Sequence, residues 1–206
     1  MAITITRRQA LEAGAALGAA AAFGSGAHAQ TGALIQKRIP KSGEMLPPIG
    51  IGTNRYGVGT SEEEPPPLRH TMAPFAELRG KVMDTAMIYG TSEAVIGELA
   101  QGLNIRDQLF YATKTDIRGQ LRGEAGLQQA LTRMKTDMID AMLVHNLVNA
   151  DTELPVMREW QRQGKFRYIG ASISTPDQFD QMEQFMRNND VEVVQFNYSL
   201  GDRLAA

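Results

Sequence analysis

Between residues 49 and 196 the spacing of apolar side chains switches repeatedly between a strand-like and a helical period, and this limits the possible folds more than any other property of the chain. Short apolar runs occur at 49–53, 81–84, 109–113, 141–144, 168–171 and 191–196, roughly 25–30 residues apart. Runs this short and this continuous read as strands buried on both faces, as in a parallel sheet. The segments between them are amphipathic. Ser92–Leu103 reads as a helix with Ser92 as N-cap and Val95, Ile96 and Leu99 on one face. Residues 124–138 place Leu127, Ala130, Leu131 and Met134 at i, i+3, i+4 and i+7. A helix over 154–163 stops at Gly164, and Thr175-Pro176-Asp177 opens another with proline just inside its start. Regular strand–helix alternation predicts an α/β fold with right-handed crossovers, either a barrel or an open doubly wound sheet. No Gly-x-Gly-x-x-Gly follows the first strand, which counts against a dinucleotide-binding open sheet. Glu62-Glu63-Glu64-Pro65-Pro66-Pro67 reads as a loop with solvated carboxylates.

The N-terminus carries a different signal. Arg7-Arg8 precede an Ala/Gly/Leu-rich stretch at 13–23, and Ala27-His28-Ala29 forms a small-x-small cleavage signature that puts the mature start near Gln30. The apolar stretch is too short to anchor across a bilayer. Paired arginines ahead of a mildly apolar segment resemble a twin-arginine export signal. The expected organisation is therefore a signal peptide over 1–29, a single domain over 30–206, and a periplasmic location. The chain has no cysteine, so disulfides, thiolate chemistry and zinc–sulfur sites are excluded. A formal net charge of −2 gives no reason to expect nucleic acid or an anionic membrane surface as partner.

In a parallel barrel, chemistry sits where strands end and loops begin. The second run ends at Asp84, with Tyr89 five residues on; the third ends in Thr113-Lys114 and the fourth in His145-Asn146. An acid, a phenol, an amine and an imidazole would thus share one mouth. A lysine beside a phenol lowers the phenol's pKa, and a carboxylate holds the ammonium in place. Such a tyrosine can protonate a carbonyl oxygen as charge develops there, while an imidazole orients the same oxygen. The set contains no strong nucleophile and no converging metal ligands. Proton donation to a carbonyl, paired with hydride from a cofactor, is the chemistry it suits.

The stretch Asp84-Thr85-Ala86-x-x-Tyr89-Gly90-x-Ser92-Glu93-x-x-Ile96-Gly97 resembles the signature of the aldo/keto reductase superfamily. Gly50-Ile51-Gly52-Thr53, Ala112-Thr113-Lys114, the 131–140 segment with His145, 164–170 and 194–199 agree in order and spacing. The resemblance implies a TIM-type (β/α)8 barrel that reduces an aldehyde or ketone with NADPH. It implies Tyr89 as proton donor, Lys114 and Asp84 tuning it, and His145 orienting the substrate carbonyl. Gly52, Thr53, Ser172 and Gln195 would lie along the cofactor, Gln195 near the nicotinamide. Ile173 stands where the family usually has an asparagine. A barrel of this kind has eight strands, and this sequence shows six, so about six βα units are expected, with the last ones lacking. Open sheet edges would favour self-association, and a catalytically inactive remnant or binding module is the alternative to a working reductase.

Overall fold

The computed structural model describes residues 34–54, 56, 65–115 and 123–205. The chain divides into two units, Met1–Ile35 and Gln36–Ala206, and every element below belongs to the second. The signal peptide expected over 1–29 lies outside the described residues. Among those residues no helix is long and apolar enough to cross a membrane.

Strands β1 (Lys37–Arg38) and β2 (Met45–Leu46) form a small antiparallel pair. A second sheet contains β3 (Ile51–Gly52), β4 (Val82–Asp84), β5 (Phe110–Lys114), β6 (Ile139–Val144), β7 (Phe166–Ser172) and β8 (Val193–Gln195). These six lie side by side in chain order, each parallel to the next. Helices α1 (Pro65–Glu77), α2 (Ser92–Leu103), α3 (Gly123–Arg133), α4 (Ala150–Arg162) and α5 (Phe179–Asn188) fill the successive crossovers. A doubly wound sheet reverses its strand order at a switch point. This one never reverses, which leaves the barrel as the matching alternative.

The sheet is curled. Asp84 of β4 and Gln195 of β8 have three strands between them, so a flat sheet would hold them about 19 Å apart at ~4.8 Å per strand. Their side chains are instead hydrogen-bonded at 3.0 Å. The strands therefore bend round a common interior, as six successive strands of a (β/α)8 barrel do.

Period-two alternation sorts the strand residues into two cores. Met83, Tyr111, Met142, Val144, Ile169 and Ala171 face the helices and join Ile96, Leu99, Leu127, Met134, Met157 and Trp160 in the larger one. Phe110, Ala112, Ala141 and Tyr168 face inward, with Val82 and Val193 packed beside them. Ile39 and Leu46, from the β1–β2 hairpin, close the inner cluster from below. The inner cluster is thus apolar in its middle layer, with polar groups at both ends of the strands. Gly170 is needed for close approach: a Cβ there would stand 1.6 Å from the carbonyl oxygen of Val193 on β8.

Several boundaries differ from expectation. Pro65–Pro67 open α1 where a loop was expected; proline is tolerated in a first helical turn because those N–H groups have no intrahelical partner. Glu62–Glu64 of that stretch lie outside the described residues. The N-cap of α2 is Thr91, and Ser92 is the first helical residue, with its hydroxyl engaged elsewhere. Helix α3 stops at Arg133, short of Met138, and Lys135 beyond it turns to φ 49°. The Thr175-Pro176 start holds, as a capping box with Gln178 ahead of α5.

Candidate active site

Where β4 and β5 end, the pleat turns Asp84 and Lys114 to the same side of the sheet. Lys114 Nζ donates to Asp84 Oδ1 at 2.8 Å and to the Thr85 carbonyl at 2.7 Å. The lysine side chain is 3% exposed and the aspartate 24%, so the pair sits at the boundary between interior and solvent. Gln195 Nε2 donates to the same Oδ1 from across the barrel at 3.0 Å. Burial pushes the Lys114 pKa down, and the charge and hydrogen bond of Asp84 oppose that fall.

Tyr89 stands on the turn that follows β4. Lys114 Nζ lies 5.5 Å from its ring centroid, and the His145 ring meets it edge-on at 6.2 Å and 86°. The four residues expected to share one mouth are therefore brought together. One expectation is corrected: the phenol pKa is raised, not lowered. Burial is the main cause, and the negative charge of Asp84 adds to it. The ammonium's hydrogen bonds go to Asp84 and the Thr85 carbonyl. A tyrosine phenol is protonated at neutral pH with or without this shift, which is the state a proton donor requires.

His145 is buried, and its backbone N–H donates to Thr115 Oγ1 at 3.1 Å. The segment after it is unusual: Asn146, Leu147 and Asn149 all have positive φ, at 53°, 59° and 59°. Left-handed backbone is costly for a branched residue such as leucine, and strain of this kind clusters at functional sites.

The expected cofactor residues divide. Ser172 and Gln195 are register partners on β7 and β8. Ser172 Oγ accepts from the Asn146 N–H at 3.4 Å, which leaves its own proton available to donate. Gly52 pairs with Asp84 across β3 and β4, and a Cβ built on it would meet nothing within 4 Å, so the backbone there is open to close approach. Thr53 differs. It is fully buried, and its hydroxyl donates to the Asp84 carbonyl at 2.8 Å and accepts from Ser92 at 2.8 Å. The Thr53 side chain serves the framework and does not face the mouth.

Two contacts went unforeseen. The Thr85 carbonyl is a direct acceptor for Lys114, a backbone role without a sequence signal. Glu93 is 2% exposed, and its Oε1 accepts from Thr113 Oγ1 at 2.7 Å, with Arg133 Nη1 3.4 Å from its other oxygen. Glu93 stands inside the signature, which was the available hint.

Comparison with known proteins follows from this geometry. The chain is 32% identical over 137 residues to "Aldo-keto reductase YhdN" of Bacillus subtilis (strain 168), covering 59% of this chain and 40% of that protein. It is 31% identical over 178 residues to "Methylglyoxal reductase YeaE" of Escherichia coli (strain K12), covering 82% of this chain and 60% of that one. The chain spans about half the length of the curated relatives it matches. Its fold matches the crystal structure of an aldo-keto reductase (AKR2E5) complexed with NADPH, with a TM-score of 0.66 at 21% identity over 84% of this chain and 57% of that chain. The profile of the Aldo/keto reductase family matches residues 48–206, and the chain belongs to that family.

Proposed function

We propose that this domain reduces a small aldehyde or ketone with NADPH, Tyr89 delivering the proton to the carbonyl oxygen. The reading rests on one observation above all: a Lys114–Asp84 pair at 2.8 Å beside the Tyr89 phenol, with the His145 ring at the phenol's edge. Tyr89 holds its proton until charge develops on the substrate oxygen, and then donates it. Lys114, fixed by Asp84 and the Thr85 carbonyl, supplies positive potential beside the resulting phenolate. His145, at the edge of the same ring, orients the carbonyl oxygen. Ser172 and Gln195 suit a carboxamide, one offering a hydroxyl and the other an amide, and the open backbone at Gly52 suits a ligand lying close. NADPH, when bound along them, supplies hydride to the carbonyl carbon. Methylglyoxal reductases among the relatives make small dicarbonyls the first substrates to try.

The test is a titration of the chain with NADPH followed by cofactor fluorescence, then carbonyl-dependent NADPH oxidation. Saturable binding and turnover that falls at least about a hundredfold in Tyr89→Phe, with binding retained, is the expected result. Turnover unchanged in that variant would overturn the mechanism, and failure to bind NADPH would overturn the activity. We further propose export through the twin-arginine route, supported by Arg7-Arg8, the short apolar stretch and Ala27-His28-Ala29. Replacing both arginines with lysine should hold the protein in the cytoplasm, and unchanged fractionation would refute that route.

A further inference from the structure

We propose that Ser92 is a positioning residue for Tyr89, closing the turn that carries the phenol into a hydrogen-bonded ring. The proposal rests on the reductase reading for its catalytic meaning, and on the geometry alone for its mechanics.

Thr53, Thr85 and Ser92 are each fully buried. Thr85 Oγ1 donates to Ser92 Oγ at 3.0 Å, Ser92 Oγ faces two Thr53 acceptors, Oγ1 at 2.8 Å and the carbonyl at 3.0 Å, and Thr53 Oγ1 donates to the Asp84 carbonyl at 2.8 Å. Thr85 gives its proton to Ser92, Ser92 gives its own to Thr53 through either oxygen, and the Thr53 hydroxyl ends the chain on the peptide group from which Thr85 begins. A fully satisfied buried chain of this sort is stiff, because each bond polarises the next and an orphaned member is costly. The same Ser92 sends its backbone N–H to the Tyr89 carbonyl at 3.1 Å. One residue thus grips the turn at both ends: its start through Thr85 and its phenol-bearing residue through the main chain. It also ties both to the end of β3 through Thr53.

The neighbouring residue adds a strut. Glu93 accepts from Thr113 at 2.7 Å, one position before Lys114 on β5. Gly97 lets α2 sit against the end of α3, since a Cβ there would stand 2.5 Å from the Arg133 carbonyl oxygen. The start of α2 therefore has little freedom, and Tyr89 inherits that fixity. Packing alone would require only small apolar groups at positions 85 and 92; a closed donor chain requires hydroxyls.

The test is a tyrosine 13Cζ NMR titration of the full chain, with Tyr89 assigned by its disappearance in Tyr89→Phe and Tyr168 on the floor as internal control. Ser92→Ala should move the Tyr89 titration down toward the ordinary tyrosine value of 10.0, as the phenol gains solvent, and leave Tyr168 unmoved. Thr85→Val, which keeps the shape and removes the donor, should act the same way, and Thr85→Ser should restore the wild-type titration. If Ser92→Ala does not fold, the Thr85 pair decides the matter. With NADPH and a reducible carbonyl, Ser92→Ala should lower kcat about ten- to a hundredfold with KM within about twofold, the signature of a displaced proton donor. Wild-type Tyr89 titration in a folded Ser92→Ala and in Thr85→Val would overturn the proposal. Because the titration needs no turnover, an inactive chain would refute the reductase reading while leaving this test intact.

Discussion

The two ends of the sheet each hold an acid beside a cation, and the surroundings of the two acids differ. At the floor, Asp140 Oδ2 accepts from the Tyr111 N–H at 2.7 Å and Oδ1 accepts from Arg167 at 2.7 Å. Arg167 also pairs with Glu44, to which Tyr168 donates at 2.6 Å. Arg106 is held by Thr136, Leu109 and Met138 at 3.0, 3.1 and 2.7 Å, and lies 4.0 Å over the Tyr111 ring. At the mouth, Asp84 is partly exposed, burial lowers the Lys114 pKa against the pull of Asp84, and the Tyr89 phenol stands next to them. A cavity of about 480 Å³ opens at the floor, lined by Glu44, Lys81, Arg106, Asp140 and Arg167 among others. Saturated charges hold the barrel together, while groups left with spare capacity beside a perturbed phenol can react.

The sharpest way to break this contrast is at Asp140. Asp140→Ala orphans the Tyr111 N–H and leaves Arg167 with Glu44 as its remaining acid partner, and should cost about 2–4 kcal/mol in denaturant unfolding. A loss under about 1 kcal/mol would remove the floor's structural role. Next comes alkaline pH. Burial pushes the Tyr111 phenol up to about 12 from 10.0, so the folded state binds the proton more tightly than the unfolded one. The stabilisation is complete below pH 10 and is lost as pH rises through about 12, up to about 3 kcal/mol, and Tyr111→Phe should flatten that slope. Smaller still is Asp84→Asn. Asp84 holds the Lys114 pKa up against burial, so its neutralisation should drive Lys114 further down, read by lysine 13Cε NMR. An unmoved Lys114 would mean the pair is not coupled. Least of all, Ser42→Ala removes a 2.7 Å bond to Tyr168 and should cost about 1 kcal/mol or less, with the Tyr89 titration untouched.

Much of the barrel was legible because its strands are buried on both faces and so appear as continuous apolar runs. All six landed in the sheet, and the mouth quartet followed from asking which residue ends each run. The β1–β2 hairpin was not legible, since strands of two residues carry no period. Neither was α1, whose triple proline reads as a loop by composition yet sits where a helix needs no N–H. The resemblance implied Thr53 along the cofactor; that its hydroxyl bonds to Ser92 and the Asp84 carbonyl had no signal in the sequence. The Asp84–Gln195 bond depends on curvature, which residues 111 positions apart cannot announce. The direction of the Tyr89 shift is set by burial and by the Asp84 charge, neither of which spacing along the chain reports.

Gly170 gives the mouth a dependence on a place that takes no part in it. With Val193's carbonyl 1.6 Å from where a methyl would stand, β7 and β8 pair only because position 170 is bare. Any side chain there acts as a wedge, and what the wedge displaces is the strand that brings Gln195 to Asp84. A lesion at this glycine would therefore register first as a misplaced amide at the rim, long before the barrel itself came apart.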